Sequence, residues 1–219
     1  MERILVSQTT KNIGRELKVS GWVKTRRDHG KIIFIDLRDR SGILQCVITP
    51  DTENYEGIKR LRPQWAVDFK GMIKKRPEKL INTEMISGKI ELEVQSFDVL
   101  SEAQELPIDI SADDMQLHIE TLLDYRNLTI RNEKVGAIFK VYSEVLRNYS
   151  EFLRSQNFLE IKTPKLLSAC TEGGAEFFKV KYFEKEAYLA QSPQFYKQAA
   201  VGAFERVFEI GSVFRAEPH

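Results

Sequence analysis

From Leu17 to Leu100 the apolar positions follow a period of two. "LKVSGWVKT", "KIIFIDLRD", "GILQCVI", "QWAVDFKGMIKK" and "KIELEVQSFDVL" are short, rich in β-branched and aromatic residues, and bounded by Gly, Asp, Asn or Pro. A helix-like stretch, "NYEGIKRLR", lies between the third and fourth. Five strands with a helix after the third fit a small closed barrel of the OB type. SH3-like barrels and sandwiches are the competing strand-rich folds, and the helix position favours the OB order.

Beyond Ser101 the pattern changes. "SEAQELPIDISADDMQLHIETLLDYRNLTIRN" is acidic and interrupted, with Pro107 near its start, and reads as a linker over 105–130 holding at most a short helix. In "GAIFKVYSEVLRNYSEFLRSQNF" the residues Ile138, Tyr142, Val145, Tyr149 and Phe152 recur at intervals of four and three, which predicts one apolar face of a long helix. Asn157 suits its C-terminal end. "FLEIKTPKLL" then predicts a strand whose Pro164 cannot donate to a ladder, so an edge or an interface is expected there. The division is therefore 1–104, a linker, and 131–219.

Composition narrows the class. The 219 residues are 42% apolar and 30% charged, with a net charge of +1. No apolar run approaches the ~20 residues a membrane span needs, the start lacks a signal-peptide core, and a cytoplasmic location without membrane association is expected. Cys46 and Cys170 lack metal-ligand spacing and read as idle or buried thiols in a reducing compartment. The charge is uneven. Residues 1–104 carry 19 Lys+Arg against 15 Asp+Glu, and the remainder 14 against 17. A mildly basic front half suits a polyanion, though an ordinary solvated surface would look the same.

The long helix, "KTPKLL", "TEGGAE", "QSPQFYKQ" and a final "FRAE" occur in one order. Together with "GWVKTRRDHGKIIFIDLRDRSGILQCVI" they resemble the class II aminoacyl-tRNA synthetases, and within them the aspartyl group. The likeness covers nearly the whole chain. The front half is worded like the bacterial type and the back half like the archaeal and eukaryotic type. The resemblance implies an α+β multidomain protein: a five-stranded OB-fold anticodon-binding barrel, then the first part of a class II catalytic domain built on an antiparallel sheet. "FRAE" matches the opening strand of the family's second motif, and the rest of that motif and the third are missing from the sequence. The chain is accordingly expected to be a fragment or truncated product, inactive alone.

The implied reaction is attack of the L-aspartate carboxylate on the α-phosphate of ATP, with Mg2+, followed by transfer to tRNA. Positioning and charge stabilisation carry such a rate. Arg215 and Glu217, two apart on an expected strand, point to one face. The guanidinium suits the α-phosphate and the amino acid, and the carboxylate the adenine amino group. In an unlabelled sequence the same pair would read as an ion pair on a solvated face. By resemblance Glu172, beside Gly173 and Gly174 in a mobile loop, meets the substrate amino group, Gln194 binds the amino-acid backbone, and Lys197 pairs with the side-chain carboxylate. A lysine there attracts aspartate and is left unpaired opposite asparagine. Glu172 also fits an ordinary turn, and Lys197 a solvated helix start. The family's metal ligands match no residue of this chain.

In the barrel, Phe34 and Gln45 match the positions that stack on and hydrogen-bond the middle anticodon base, and Glu91 a reader of the third. Stacking on an aromatic contributes ~1–3 kcal/mol per base. Core packing is the competing reading of Phe34, because alternation alone does not say which face is wet. Arg26 and Arg27 read as phosphate contacts or as a solvated basic loop, and His29 as a turn residue. The implied partners are tRNA(Asp), with tRNA(Asn) a further candidate because Lys24 and Lys79 lie near positions tied to that choice, and a second subunit joined through the long helix and Pro164. A tRNA-binding module without catalysis and an asparaginyl enzyme remain the alternatives.

Overall fold

The computed structural model describes residues 2–112, 114–169 and 177–217. The chain divides into two compact units, Met1–Met115 and Gln116–His219.

The first unit is a closed barrel. A two-residue strand β1 (Arg3–Ile4) and helix α1 (Val6–Thr9) precede β2 (Glu16–His29), β3 (Ile32–Asp39), β4 (Gly42–Ile48), helix α2 (Tyr55–Ile58), β5 (Ala66–Lys75) and β6 (Ile90–Ser101). The sheet order is β1-β2-β3-β4-β6-β5, and a β2–β5 ladder closes it. One strand serves both ends because β2 is 14 residues long. Its first half, Glu16–Trp22, pairs with β5, and its second, from Trp22 to His29, with β3. Gly21 sits at the changeover, where a Cβ would come within 2.5 Å of the Arg38 carbonyl oxygen. At the far end Gly30, with φ +62°, turns β2 into β3.

Apart from breaks at bulges, alternate residues point inward. Val19, Val23, Ile33, Ile35, Leu37, Leu44, Cys46, Ile48, Val67, Phe69, Ile73, Ile90, Leu92 and Val94 form the core. Ile58, in the helix after the third barrel strand, and Leu61 and Trp65 join the same core. Each fully buried aliphatic or aromatic side chain contributes ~1.5–3 kcal/mol. Cys46 is one of them: burial pushes its thiol pKa well above the ordinary value and leaves it inert.

The second unit starts with two short helices, α3 (Ile119–Asp124) and α4 (Arg126–Thr129), inside the stretch expected as linker. Helix α5 spans Glu133–Ser155, starting five residues before the first apolar residue of the periodic face, Ile138, because the Asn132 side chain caps it by accepting from the amides of Lys134 and Val135. Asn157 ends it at φ +62°. The Asn157 amide donates to Arg154 and the Phe158 amide to Leu153, both at 3.0 Å, which is the Schellman arrangement.

The strand expected over "FLEIKTPKLL" is two strands. β7 (Leu159–Glu160) pairs in parallel with β11 (Val207–Phe208), and β8 (Leu166–Leu167) pairs with β10 (Lys185–Leu189), which also pairs with β9 (Lys179–Tyr182). The break falls at Thr163–Pro164, where the Thr163 amide turns aside to the Glu209 carboxylate at 3.0 Å and Pro164 has no amide to offer. Helix α6 (Gln194–Phe204) follows the antiparallel β8-β10-β9 sheet. Among the described residues, no helix is long and apolar enough to cross a membrane.

Candidate nucleic-acid interface and amino-acid site

The barrel's outward face carries the first site. With Ile33, Ile35 and Leu37 buried, Phe34, Asp36 and Arg38 on β3 point out. The ladder sets Arg27, Phe34 and Val47 in one row and Thr25, Asp36 and Gln45 in the next. Phe34 is therefore surface rather than core, with the His29 ring edge-on to it at 5.6 Å. His29 ends β2 at the hairpin and borders the aromatic face. Gln45 Nε2 donates to Glu91 Oε2 at 3.0 Å, so these two candidates meet side by side.

Two neighbours escaped the sequence reading. Asp36 accepts from the Thr25 hydroxyl at 2.6 Å and pairs with Arg27 at 3.0 Å. Arg76, with a side chain only 4% exposed, lies 3.8 Å from Glu91 and donates from Nε to the Ile90 carbonyl. Burial lowers its pKa, against the opposing pull of Glu91 and Asp36. Its Nη2 finds no acceptor among the described residues. Only the parity of β3 and β4 could have pointed to Asp36, and Arg76 lies just past the end of β5.

Arg26 and Arg27 differ. Both lie on β2 rather than in a loop. Arg27 stays exposed beside Phe34. The Arg26 guanidinium is held at home by Asp28 and by the carbonyls of Lys59 and Leu61, tying β2 to the segment after α2. Its hydrogen bond to Asp28 keeps that carboxyl below its usual pKa. These contacts brace β2 against the segment after α2. Lys24 occupies a break in register on β2, and Lys79 a short 3-10 turn, Glu78–Leu80.

The second site lies in the second unit. Gln194 is the first residue of α6 and Lys197 the fourth, one turn apart on one face. Gln194 is exposed and Lys197 half-buried. Glu172, Gly173 and Gly174, like Cys170, lie outside the described residues.

Arg215 and Glu217 do not lie on a strand. Residues 211–217 are irregular, and the Phe214 amide bonds to the Ala190 carbonyl at 2.9 Å, too little to make a ladder. The alternation nevertheless holds: Val213, Arg215 and Glu217 are exposed, and Phe214 and Ala216 are half-buried. Arg215 and Glu217 share one face and approach each other to 3.9 Å. The Phe214–Ala190 bond sets this segment beside the strand end leading into α6. No hydrogen bond or ion pair joins Arg215 to Gln194 or Lys197 among the described residues.

The approach to that segment is anchored by Glu209, also absent from the sequence reading. Its side chain, 2% exposed, accepts from the Thr163 amide, the Thr163 hydroxyl at 2.8 Å and Lys165 Nζ at 2.9 Å. Lys162 Nζ donates to the next carbonyl, Ile210, at 2.8 Å. Burial pushes the Glu209 carboxyl up, but the Thr163 and Lys165 contacts outweigh it, and its pKa lies below the ordinary value.

A closed five-stranded barrel with an aromatic and polar outer face, followed by a long exposed helix and a small antiparallel sheet, defines the class. The chain belongs to the class II aminoacyl-tRNA synthetases that carry an OB-fold anticodon-binding domain. Residues 118–219 match the tRNA synthetases class II (D, K and N), and residues 17–100 the OB-fold nucleic acid binding domain. The chain is similar to the aspartate–tRNA(Asp/Asn) ligase of Thermus thermophilus, at 40% identity over 99% of this chain and 48% of that protein. It is also similar to the protein of that name from Archaeoglobus fulgidus, at 38% identity over 94% and 47%. Among solved structures, the asparaginyl-tRNA synthetase of Pyrococcus horikoshii complexed with asparaginyl-adenylate superposes with a TM-score of 0.86 at 33% identity, over 99% of this chain and 49% of that one. The chain thus spans about half the length of the curated relatives it matches.

Proposed function

We propose that this chain serves aspartate–tRNA ligation: activation of L-aspartate with ATP to aspartyl-adenylate, then transfer to tRNA(Asp) and, as the name of its relatives suggests, to tRNA(Asn). The observation that carries the reading is the meeting of Phe34, Gln45 and Glu91 on one outward face of a barrel of this family. An outward-facing, half-buried ring for stacking, beside an amide and a carboxylate for base edges, is the equipment a reader of unpaired bases needs. Arg27, exposed in the same row as Phe34, adds a cation for the backbone.

In the second unit Lys197 receives the aspartate side chain and Gln194 its backbone groups. Glu172 takes the amino group. Arg215 holds the α-phosphate as charge builds at phosphorus during attack by the aspartate carboxylate, with pyrophosphate leaving, and Glu217 accepts from the adenine amino group. Magnesium is implied by the family. The described residues gather no three acidic, imidazole or thiol side chains that would hold it. The exposed face of α5 and the turn at Pro164 meet a second copy about a twofold axis.

A second reading, asparagine in place of aspartate, draws support from the Pyrococcus horikoshii structure. Pyrophosphate exchange by the natural gene product separates the two. Aspartate supports exchange, asparagine does not, and Lys197→Ala weakens use of aspartate about 30-fold or more, the low end for truncating one partner of a desolvated charge pair, with the melting temperature unchanged. Exchange with asparagine at the aspartate rate would select the second reading.

A further inference from the structure

The outward face does not stop at Gln45. The next row along the ladder is Trp22, Arg38 and Ile43. Trp22 is 42% exposed, whereas the other tryptophan, Trp65, is buried and donates from its ring nitrogen to the Ala103 carbonyl. The Arg38 guanidinium carbon lies 5.5 Å from the centre of the Trp22 ring.

Simple alternation would not put Trp22 there. Thr25 and Arg27 face outward, so an unbroken β2 would turn Trp22 into the core. The register shifts between Val23 and Thr25, and Lys24 is the extra residue. Past that bulge Val23 pairs with Leu37 inside and Trp22 with Arg38 outside. A bulge that re-aims one side chain is a common device beside binding sites. Gly21 completes it by letting β2 pass close against the Arg38 carbonyl.

We propose that Trp22 and Arg38 form a second stacking platform, which takes an unpaired nucleotide of the RNA outside the triplet met at Phe34, Gln45 and Glu91. The proposal rests on the anticodon reading above. Phe34 and Arg38 are four positions apart on β3, roughly 13 Å at ~3.3 Å per residue, too far for one base to touch both. The rows are continuous, and the intervening one is polar, so one strand of RNA can run from one aromatic to the other. The indole offers a face to a base, and Arg38 adds a cation for stacking and for phosphate.

The test uses the whole 219-residue chain and two seven-nucleotide RNAs. Both carry GUC at the centre, and one has abasic flanks. The intact RNA is expected to quench the emission of Trp22 and to bind more tightly by about fivefold or more, the low end for one stacked base. Trp22→Ala should bring the intact RNA down to the affinity of the abasic one and leave the latter unchanged. Trp22→Phe, which keeps a ring, should retain part of the difference. Phe34→Ala should weaken both RNAs. Equal binding of the two RNAs by the native chain, or equal affinities for Trp22→Ala and the native chain, overturns the second platform while Phe34→Ala still tests the anticodon reading. Failure of both RNAs to bind overturns the two together.

Discussion

Gln45 and Glu91, forty-six residues apart in sequence, are joined by one hydrogen bond of 3.0 Å on the outer surface of the barrel. The carboxylate also lies 3.8 Å from Arg76, whose side chain is almost wholly buried. Glu91 thus has two tasks, fixing the Gln45 amide and neutralising Arg76. Glu91→Ala should lower stability by about 1–3 kcal/mol, because it strips the nearest carboxylate from a largely desolvated guanidinium, and should erase discrimination at the third anticodon base. Gln45→Ala should leave stability nearly unchanged and relax choice at the middle base. Urea midpoints with binding to single-base variants of a GUC loop check both. A double-mutant cycle with zero coupling would show that the bond is idle.

Phe34 faces water, with Ile33 and Ile35 taking the core positions on either side. Phe34→Ala should therefore weaken RNA binding by ~1–3 kcal/mol and hardly shift the melting temperature. Ile35→Ala should cost ~2–5 kcal/mol of stability without touching the outer face directly. Near-ultraviolet dichroism of Phe34→Ala distinguishes them: loss of tertiary signal would mean the ring is structural after all.

The barrel was legible because its strands alternate cleanly and its helix falls after the third. Asn157 was legible too, since few residues other than glycine adopt the left-handed conformation that ends a helix. What alternation conceals is phase. Nothing in "KIIFIDLRD" tells whether Phe34 or its neighbours face water until the ladder is closed, and a one-residue bulge at Lys24 reverses the rule partway along β2. Arg215 and Glu217 share a face as their spacing implies, yet the strand expected under them needs ladder bonds that sequence does not display. Glu209 was missed because its partners, Thr163 and Lys165, come from a distant turn.

The Glu209 contacts make a pH prediction. Its folded-state pKa is lowered below the ordinary 4.5. The stabilisation it brings is present in full above that value and is lost as pH falls through the lower folded value. Glu209→Gln should remove this part of the acid dependence. At neutral pH it should cost about 1–3 kcal/mol, by leaving the Thr163 amide and Lys165 short of an acceptor. Thermal melts of the second unit between pH 3 and 7 would show it, and identical slopes for the native and Gln proteins would contradict it.

Helix α5 buries none of its residues, and Tyr142 and Phe152 are each 62% exposed on its apolar face. Such a stripe calls for a cover. If a second copy supplies it, the native chain should sediment above monomer mass at micromolar concentration. Tyr142→Ser with Val145→Asp should then weaken association at least tenfold, since aromatic anchors carry most of an interface's energy. A strict monomer for the native chain would remove the argument for a twofold contact.

Base-specific RNA binding by the chain decides whether the outer face of the barrel reads an anticodon. At moderate salt, where phosphate attraction is weakened, a stem–loop with a GUC anticodon should bind more tightly than one with the same loop composition scrambled. Phe34→Ala and Gln45→Ala should each narrow the gap. Equal affinity for the two stem–loops would leave only charge attraction and would contradict the reading of this face as an anticodon site.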